Sequence, residues 1–264
     1  MKSPVAHLEP AERDPKKLRR TGLILAGLML LSGLMVLVAY NRHAAEEAAD
    51  DRPALVARLD KNFKVWRQDE SEAGLLDLAG DVWVISPVSF SQPETWQATR
   101  KVLEDLSKRY ADRADFHIVN LTVDPENEPP ATLAKYADEL GAELPKWWLA
   151  GAQEDSLHKF LKNRLRAGFY PEKKDGLWSY DPSIVVIGRD RHIRKATVRA
   201  RKASGKELNY RHQVDFDFEQ AARWDAEGRS EGLGKSNVAA LEELLLKTID
   251  HLLAEPAIEN ESES

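Results

Sequence analysis

The sequence predicts an α/β protein, in which a thioredoxin-like domain follows one transmembrane helix. Residues 21–40 are uncharged, and a helix of this length spans about 30 Å, the thickness of a bilayer core. Beyond them, short apolar runs alternate with amphipathic helical patterns in the order strand, helix, strand, helix, and then strand, strand, helix. A parallel βαβ unit followed by an antiparallel hairpin and a closing helix is the layout of a thioredoxin-like domain.

The composition excludes several classes of function. In 264 residues, Asp and Glu outnumber Lys and Arg by 44 to 38, and this acidic balance argues against a nucleic-acid partner. The chain has no cysteine, which removes disulfides, thiolate metal sites and thiol nucleophiles. Its three methionines are Met1, Met29 and Met35, so the sequence beyond residue 40 contains no sulfur.

The charges that flank the apolar segment predict its orientation. Basic residues precede it, and acidic residues follow it. The positive-inside rule then keeps residues 1–20 in the cytoplasm as a tail and places the C-terminal domain in a bacterial periplasm, with 21–40 crossing the inner membrane once. A cleaved signal peptide is the alternative, but the apolar run is longer than a signal-peptide core and no clear cleavage site follows, which favours a signal anchor.

Composition and hydrophobic periodicity divide the exported part into three segments. Residues 41–62 are predicted to form a partly helical stalk, residues 63–254 the thioredoxin-like domain, and residues 255–264 an acidic disordered tail. Predicted strands lie at 63–67, 74–78, 81–86, 116–123, 146–149, 184–188, 193–198 and 208–218. Predicted helices lie at 91–110, 131–141, 154–165 and 238–252, and 219–235 is a loop with a short helix. For the first helix, Ser91 is the predicted N-cap and Glu94 completes a capping box.

Several segments resemble the Sco/SenC family. They are DLAGDVWV (77–84), LTVDPENEPPATLAKYADELG (121–141), KWWLAGAQED (146–155), IVVIGRDRHIRK (184–195) and ALEELLLKTIDHLL (240–253). Their order and spacing match over roughly residues 63–200 and 238–253, and residues 202–236 are an insertion. The resemblance implies a thioredoxin fold on a membrane anchor and a link to assembly of the copper centre of cytochrome c oxidase.

The copper ligands that the resemblance implies are all replaced. The family's C-P-x-x-C motif falls on residues 92–96, so its cysteines correspond to Gln92 and Trp96, and its histidine ligand corresponds to Tyr180. Cu(I) is selected by soft sulfur ligands, and thiol–disulfide exchange requires a thiolate. The sequence therefore predicts no cofactor, no metal ligand and no catalytic residue, and a protein that is not an enzyme.

Other candidate ligands give weaker signals. His117, His158, His192 and His212 are scattered over different predicted elements, which is typical of ordinary structural histidines. The pair of carboxylates at 124 and 126 could serve acid–base or metal chemistry, but a turn around the intervening proline explains it better.

The aromatic residues suggest a filled site or an interface. Gln92, Trp96 and Tyr180 are expected to lie close together, where they would either fill the vacated copper site as core or form an interface anchor. Trp147 and Trp148 are adjacent on a predicted strand, so one should face inward and the other outward as a possible interface residue.

These observations lead to one main functional hypothesis and two alternatives. The main hypothesis is a copper-free, non-catalytic Sco/SenC-like protein that acts through protein contacts in the assembly of a respiratory complex. One alternative is a copper chaperone with a relocated, histidine-based site. The other is a small-molecule binding module, which requires an open cavity beside Trp96.

Overall fold

The computed structural model describes residues 14–49, 52–201, 207–229 and 234–257. The chain divides into two compact units, residues 1–50 with 199–210, and residues 51–198 with 211–264. The predicted cytoplasmic tail lies largely outside the described residues, as does most of the predicted acidic tail.

The first unit contains a helix that is longer than the predicted apolar segment. Helix α1 spans Pro15–Ala49, and its part Pro15–His43 is long and apolar enough to cross a membrane. The carboxylate of Asp14 accepts the backbone N–H of Lys16 at 2.9 Å and so caps the first turn. The helix continues beyond residue 40 because the sequence there is rich in Ala and Glu, which are strong helix formers.

The second unit is built on a mixed sheet. Its central strands are β4 (Val82–Val88), β5 (Phe116–Thr122) and β6 (Trp147–Gly151), which run parallel. The other strands are β1 (Ala54–Arg58), β2 (Lys64–Arg67), β3 (Glu72–Gly74), β7 (Glu172–Lys174), β8 (Leu177–Ser179), β9 (Val185–Ile187), β10 (His192–Arg201) and β11 (Glu207–Val214). The division into units assigns residues 199–201 of β10 and 207–210 of β11 to the first unit. The order in the sheet is β1-β10-β9-β4-β5-β6-β2-β3, with β11 also paired to β10, while β7 and β8 form a separate hairpin.

Helices connect and cover this sheet. They are α2 (Gln97–Arg109), α3 (Pro130–Leu140), α4 (Glu154–Asn163), α5 (Phe218–Ala226) and α6 (Asn237–Ala254). Helix α2 connects β4 to β5, and β9 and β10 form an antiparallel hairpin before the closing helix α6. This is the predicted order of the thioredoxin-like core.

Both faces of the sheet are buried. Val82 and Val84 of β4 pack in one apolar cluster with side chains of α2, α3, α5 and α6. Trp83 and Ile85, which alternate with them, pack in a second cluster with side chains of α4. The central strands are therefore buried at every position.

Two parts of the sheet differ from the prediction. Residues 54–58, expected within the stalk, pair with β10 in register Ala54↔Lys195, and neighbouring Leu59 is buried in the second cluster. The prediction of a stalk over all of 41–62 is therefore wrong. Residues 75–78 form a 3₁₀ helix, so the strand expected there is limited to β3.

The segment 202–236, which the family resemblance marks as an insertion, contributes to the core. Residues 202–206 and 230–233 lie outside the described part. Between them, Phe218 and Ala221 of α5 are buried in the first cluster. The described helix of this segment is thus an integral part of the domain.

Candidate functional site

The segment between β4 and α2 holds the residues that the sequence analysis aligns with the Sco/SenC copper motif, and it begins differently from the prediction. A 3₁₀ helix, Pro93–Trp96, precedes α2, and its N-cap residue Gln92 makes no side-chain capping bond. Ser91 was the predicted cap, but its backbone N–H donates to Glu128 at 2.7 Å and its hydroxyl lies 3.1 Å from that of Ser89. The predicted capping box is therefore wrong, because tertiary hydrogen bonds engage Ser91.

The three side chains that the sequence analysis aligns with the family's copper ligands come together around this segment. Tyr180 Oη accepts the N–H of Ser89 at 3.0 Å, and Trp96 Nε1 donates to the carbonyl of Ser89, also at 3.0 Å. Gln92 Oε1 accepts the backbone N–H of Trp178 at 3.1 Å. The exposed fractions of Gln92, Trp96 and Tyr180 are 6%, 1% and 6%, so the position is filled by core side chains.

The hydroxyl groups at this position form a chain of hydrogen bonds. Thr95 Oγ1 donates to the carbonyl of Gln92 at 2.7 Å and lies 2.6 Å from Tyr180 Oη. Since the Thr95 proton is used in the first bond, Tyr180 donates to Thr95 and accepts from Ser89. Burial raises the pKa of Tyr180 well above its ordinary value, so the phenol stays protonated and neutral.

A buried carboxylate fixes the same segment to the end of β5. Glu128 accepts the N–H of Ser91 through one oxygen and the hydroxyl of Thr122 through the other. Its side chain is fully enclosed. Sequence analysis missed Glu128, because an acidic residue in a proline-rich turn normally faces solvent.

The acidic turn before Glu128 has a structural role. The carbonyl of Asp124 accepts the N–H groups of Asn127 and Glu128, which closes the turn, while Glu126 is exposed. The Asp124 carboxylate is buried and bonds Lys173 at 3.2 Å and the amide of Asn127 at 2.8 Å. Burial raises the pKa of Asp124, but the neighbouring indole N–H of Trp178 and the bonds to Asn127 and Lys173 outweigh it and hold the pKa below its ordinary value.

The histidines lie in separate environments. His117 contacts the Asp81 carboxylate at 2.9 Å, and His158 bonds the carbonyl of Val123 at 2.8 Å. His192 pairs with Asp190, and His212 lies on β11. Within the described residues, no three His, Asp or Glu side chains are grouped so that they could hold a metal ion.

Trp147 and Trp148 do not form an exposed pair. They point to opposite faces of β6, as predicted, but both are buried. Trp147 Nε1 donates to Asn120 at 2.7 Å, and Trp148 Nε1 donates to the carbonyl of Pro145 at 2.8 Å. The prediction that one faces outward as an interface residue is wrong, because both faces of the sheet are covered.

An open cleft lies beside the filled position. Its volume is about 720 Å³, and Thr95 and Tyr180 form part of its wall. Trp96 does not line it. The cavity beside Trp96 that the small-molecule hypothesis requires is therefore occupied by protein, whereas the cleft opens next to it.

Comparison with known proteins finds similarity to Sco proteins. A SCO1 protein homolog of Bacillus subtilis (strain 168) is 24% identical over 135 residues, which are 50% of this chain and 70% of that protein. The chain is therefore similar in sequence to the Sco/SenC proteins over half of its length. No family model matches it.

Solved Sco structures are similar to this chain at low identity. A SCO1/SenC family lipoprotein from Bacillus anthracis is 22% identical, with a TM-score of 0.45 over 54% of this chain and 87% of that one. Yeast Sco1 with copper bound is 12% identical, with a TM-score of 0.46 over 79% and 96%. Arabidopsis thaliana ScoI with copper bound is 13% identical, with a TM-score of 0.47 over 72% and 98%.

Proposed function

We propose that this chain is a membrane-anchored, copper-free Sco/SenC-like protein that acts through protein contacts in the assembly of cytochrome c oxidase. The oxidase link comes from the relatives, since one similar solved structure is described as a member of the Sco family of cytochrome c oxidase assembly proteins. The non-catalytic role is argued from this chain's own residues.

The observation that carries the proposal is the closed arrangement around Ser89. Gln92, Trp96 and Tyr180 offer only oxygen and nitrogen atoms, and each uses a polar atom in a buried hydrogen bond. A cuprous ion prefers thiolate or thioether sulfur, and the sequence beyond residue 40 contains none. Binding copper here would require breaking these bonds to reach poor ligands.

Copper titration tests this directly. Purified full-length protein in detergent is titrated with Cu(I) in competition with a chromogenic chelator, and separately with Cu(II). We expect no site with a Kd below about 1 µM. Submicromolar binding by the unaltered chain would overturn the copper-free proposal and favour a relocated histidine site.

A gain-of-binding variant is the matched control. The triple variant Q92C/W96C/Y180H restores the family's ligand types at the corresponding positions, which the structure brings together around Ser89. We expect it to bind Cu(I) more tightly than the unaltered chain in the same assay. Circular dichroism checks whether the variant is folded. If it is not folded, the copper titration of the unaltered chain alone decides the proposal.

The proposed anchor and its orientation have a separate test. Helix α1 is the anchor, with the N-terminus in the cytoplasm and the second unit in the periplasm of a bacterial inner membrane. The absence of cysteine makes a single K101C variant informative, because Lys101 is exposed on α2. A membrane-impermeant maleimide should label it in intact spheroplasts, and labelling only after lysis would reverse the orientation.

The protein-contact role is tested in cells. Deleting the gene should lower the level of assembled oxidase, and tagged full-length protein solubilised from the membrane should copurify with oxidase subunits or assembly factors. A protein recovered alone, together with normal oxidase levels in the deletion strain, would refute the role in assembly.

A further inference from the structure

The cleft beside Tyr180 is open, although the position next to it is filled. Its wall includes Thr95 and Tyr180 from the filled position, Phe169 and Trp178 from the region of the β7–β8 hairpin, and Glu219 from α5. Its volume of about 720 Å³ is in the range of binding sites for side chains and small ligands.

Apolar side chains are exposed in the segment that supplies Phe169 and Trp178 to the cleft wall. Phe169 is 46% exposed and Leu177 is 60% exposed, and Tyr170 between them is also exposed. In the described part of the second unit, the remaining large exposed hydrophobic residue is Leu55, far away in sequence. Three of these four residues thus lie within nine positions, and a clustered apolar patch is typical of an interaction surface.

The charge inside the cleft is negative. Five carboxylates and three basic side chains line it, and one base, Lys195, is already paired with Asp215. Asp217 and Glu219 accept backbone N–H groups, from Gln220 at 2.8 Å and Thr99 at 2.9 Å. Burial raises the pKa of both carboxyls, and Coulombic repulsion between neighbouring acids adds to it. A cation entering the cleft would relieve this repulsion.

We propose that this cleft docks an extended segment of a partner protein, one that presents a Lys or Arg side chain to Glu219 and Asp217 and apolar side chains to Phe169 and Leu177. The inference rests on the proposed role in protein contacts and names the surface and the partner chemistry for it. The positive charge of the partner is complementary to the acidic wall of the cleft, and its apolar side chains cover Phe169 and Leu177.

A polypeptide fits better than a small ligand because exposed apolar side chains of the same segment lie outside the cleft. Phe169 lines the cleft, but Tyr170 and Leu177 do not. A molecule confined to the cleft would leave these two side chains exposed, whereas a chain that enters the cleft and continues along the hairpin covers them.

Peptide selection tests the proposal. A displayed library of short random peptides is selected against the full-length protein in detergent at about physiological ionic strength, where nonspecific attraction is screened. We expect the enriched peptides to combine Lys or Arg with apolar residues. Binding of the most enriched synthetic peptide should weaken about tenfold in E219Q and in L177S, which is about 1.4 kcal/mol each.

Matched controls place the effect in the cleft. E126Q removes an exposed carboxylate elsewhere, and L55S removes an equally exposed leucine, so both should leave peptide binding unchanged. Failure to enrich peptides, enrichment of acidic peptides, or equal weakening by the control variants would overturn the proposal. Full competition by arginine amide alone would assign the cleft to a small cation instead.

The outcome is separable from that of the proposed function. Copper titration of the same preparation reports on the copper-free role whether or not peptides bind. If oxidase subunits copurify equally well with the unaltered chain and with E219Q and L177S, the assembly role stands and docking occurs at another surface.

Discussion

Replacing Tyr180 with phenylalanine removes one oxygen atom and leaves the N–H of Ser89 without an acceptor in a fully buried residue. A buried donor left unsatisfied costs about 1–3 kcal/mol, and the lost bond to Thr95 contributes about 1 kcal/mol more. We therefore expect Y180F to lower the free energy of unfolding by about 3 kcal/mol. For a domain of this size, that corresponds to a fall in Tm of roughly 6–12 °C.

The assay is urea unfolding followed by tryptophan fluorescence, with the m-value as the test that the unfolding transition is otherwise unchanged. Y170F is the matched control, because Tyr170 is partly exposed and its loss of a hydroxyl should change the unfolding free energy by less than about 0.5 kcal/mol. Equal stabilities of Y180F and Y170F would refute the reasoning, since the phenol would then not hold the segment around Ser89.

Three further variants test other parts of the domain. Gln68 bonds the carbonyl of Trp147 and the N–H of Leu149 with its buried amide, so Q68A should cost about 2–4 kcal/mol in urea unfolding, while Q97A at an exposed position should be nearly neutral. Burial raises the pKa of Glu219 in the folded protein above its value in the unfolded chain. Protonation of Glu219 therefore stabilises the fold fully at a pH below the unfolded pKa, and this stabilisation is lost as the pH rises through the folded pKa. E219Q should therefore gain stability relative to the unaltered chain between about pH 4 and neutral pH, and a flat difference in urea unfolding would contradict this. Asp124 has a lowered pKa, so its charged form stabilises the fold at neutral pH and this stabilisation is lost on acidification. D124N should lower the free energy of unfolding by about 2 kcal/mol at pH 7 and by progressively less below about pH 4. A difference between the two proteins that persists in acid would argue against the charged bonds.

The sequence was most informative for elements with long or periodic apolar patterns. Strands β4 and β5 and helix α6 lie close to their predicted ranges, since each buries many side chains and tertiary context agrees with local preference. Short edge elements were missed. The β7–β8 hairpin turns at Asp175-Gly176, which both have positive φ (52° and 82°), and an Asp-Gly dipeptide is a known signal for such a turn.

The candidate site was predictable only through alignment with a family. Nothing in the local pattern connects Trp96 with Tyr180, and their shared contact with Ser89 depends on the tertiary fold. Glu128 and Gln68 could not be found from sequence, because each bonds a backbone group that lies far away along the chain. The cleft was missed for the same reason, as its lining residues come from several separate segments.

The enclosed indole of Trp96 limits which residues can replace it. Its ring meets the Phe90 ring edge-on, with centroids 5.6 Å apart, and a cysteine there would leave an empty space worth about 3–5 kcal/mol. Globular domains have a free energy of unfolding of only about 5–15 kcal/mol, so this single substitution would remove a large share of it. Placing a thiolate pair at positions 92 and 96 would thus require several neighbouring positions to change together.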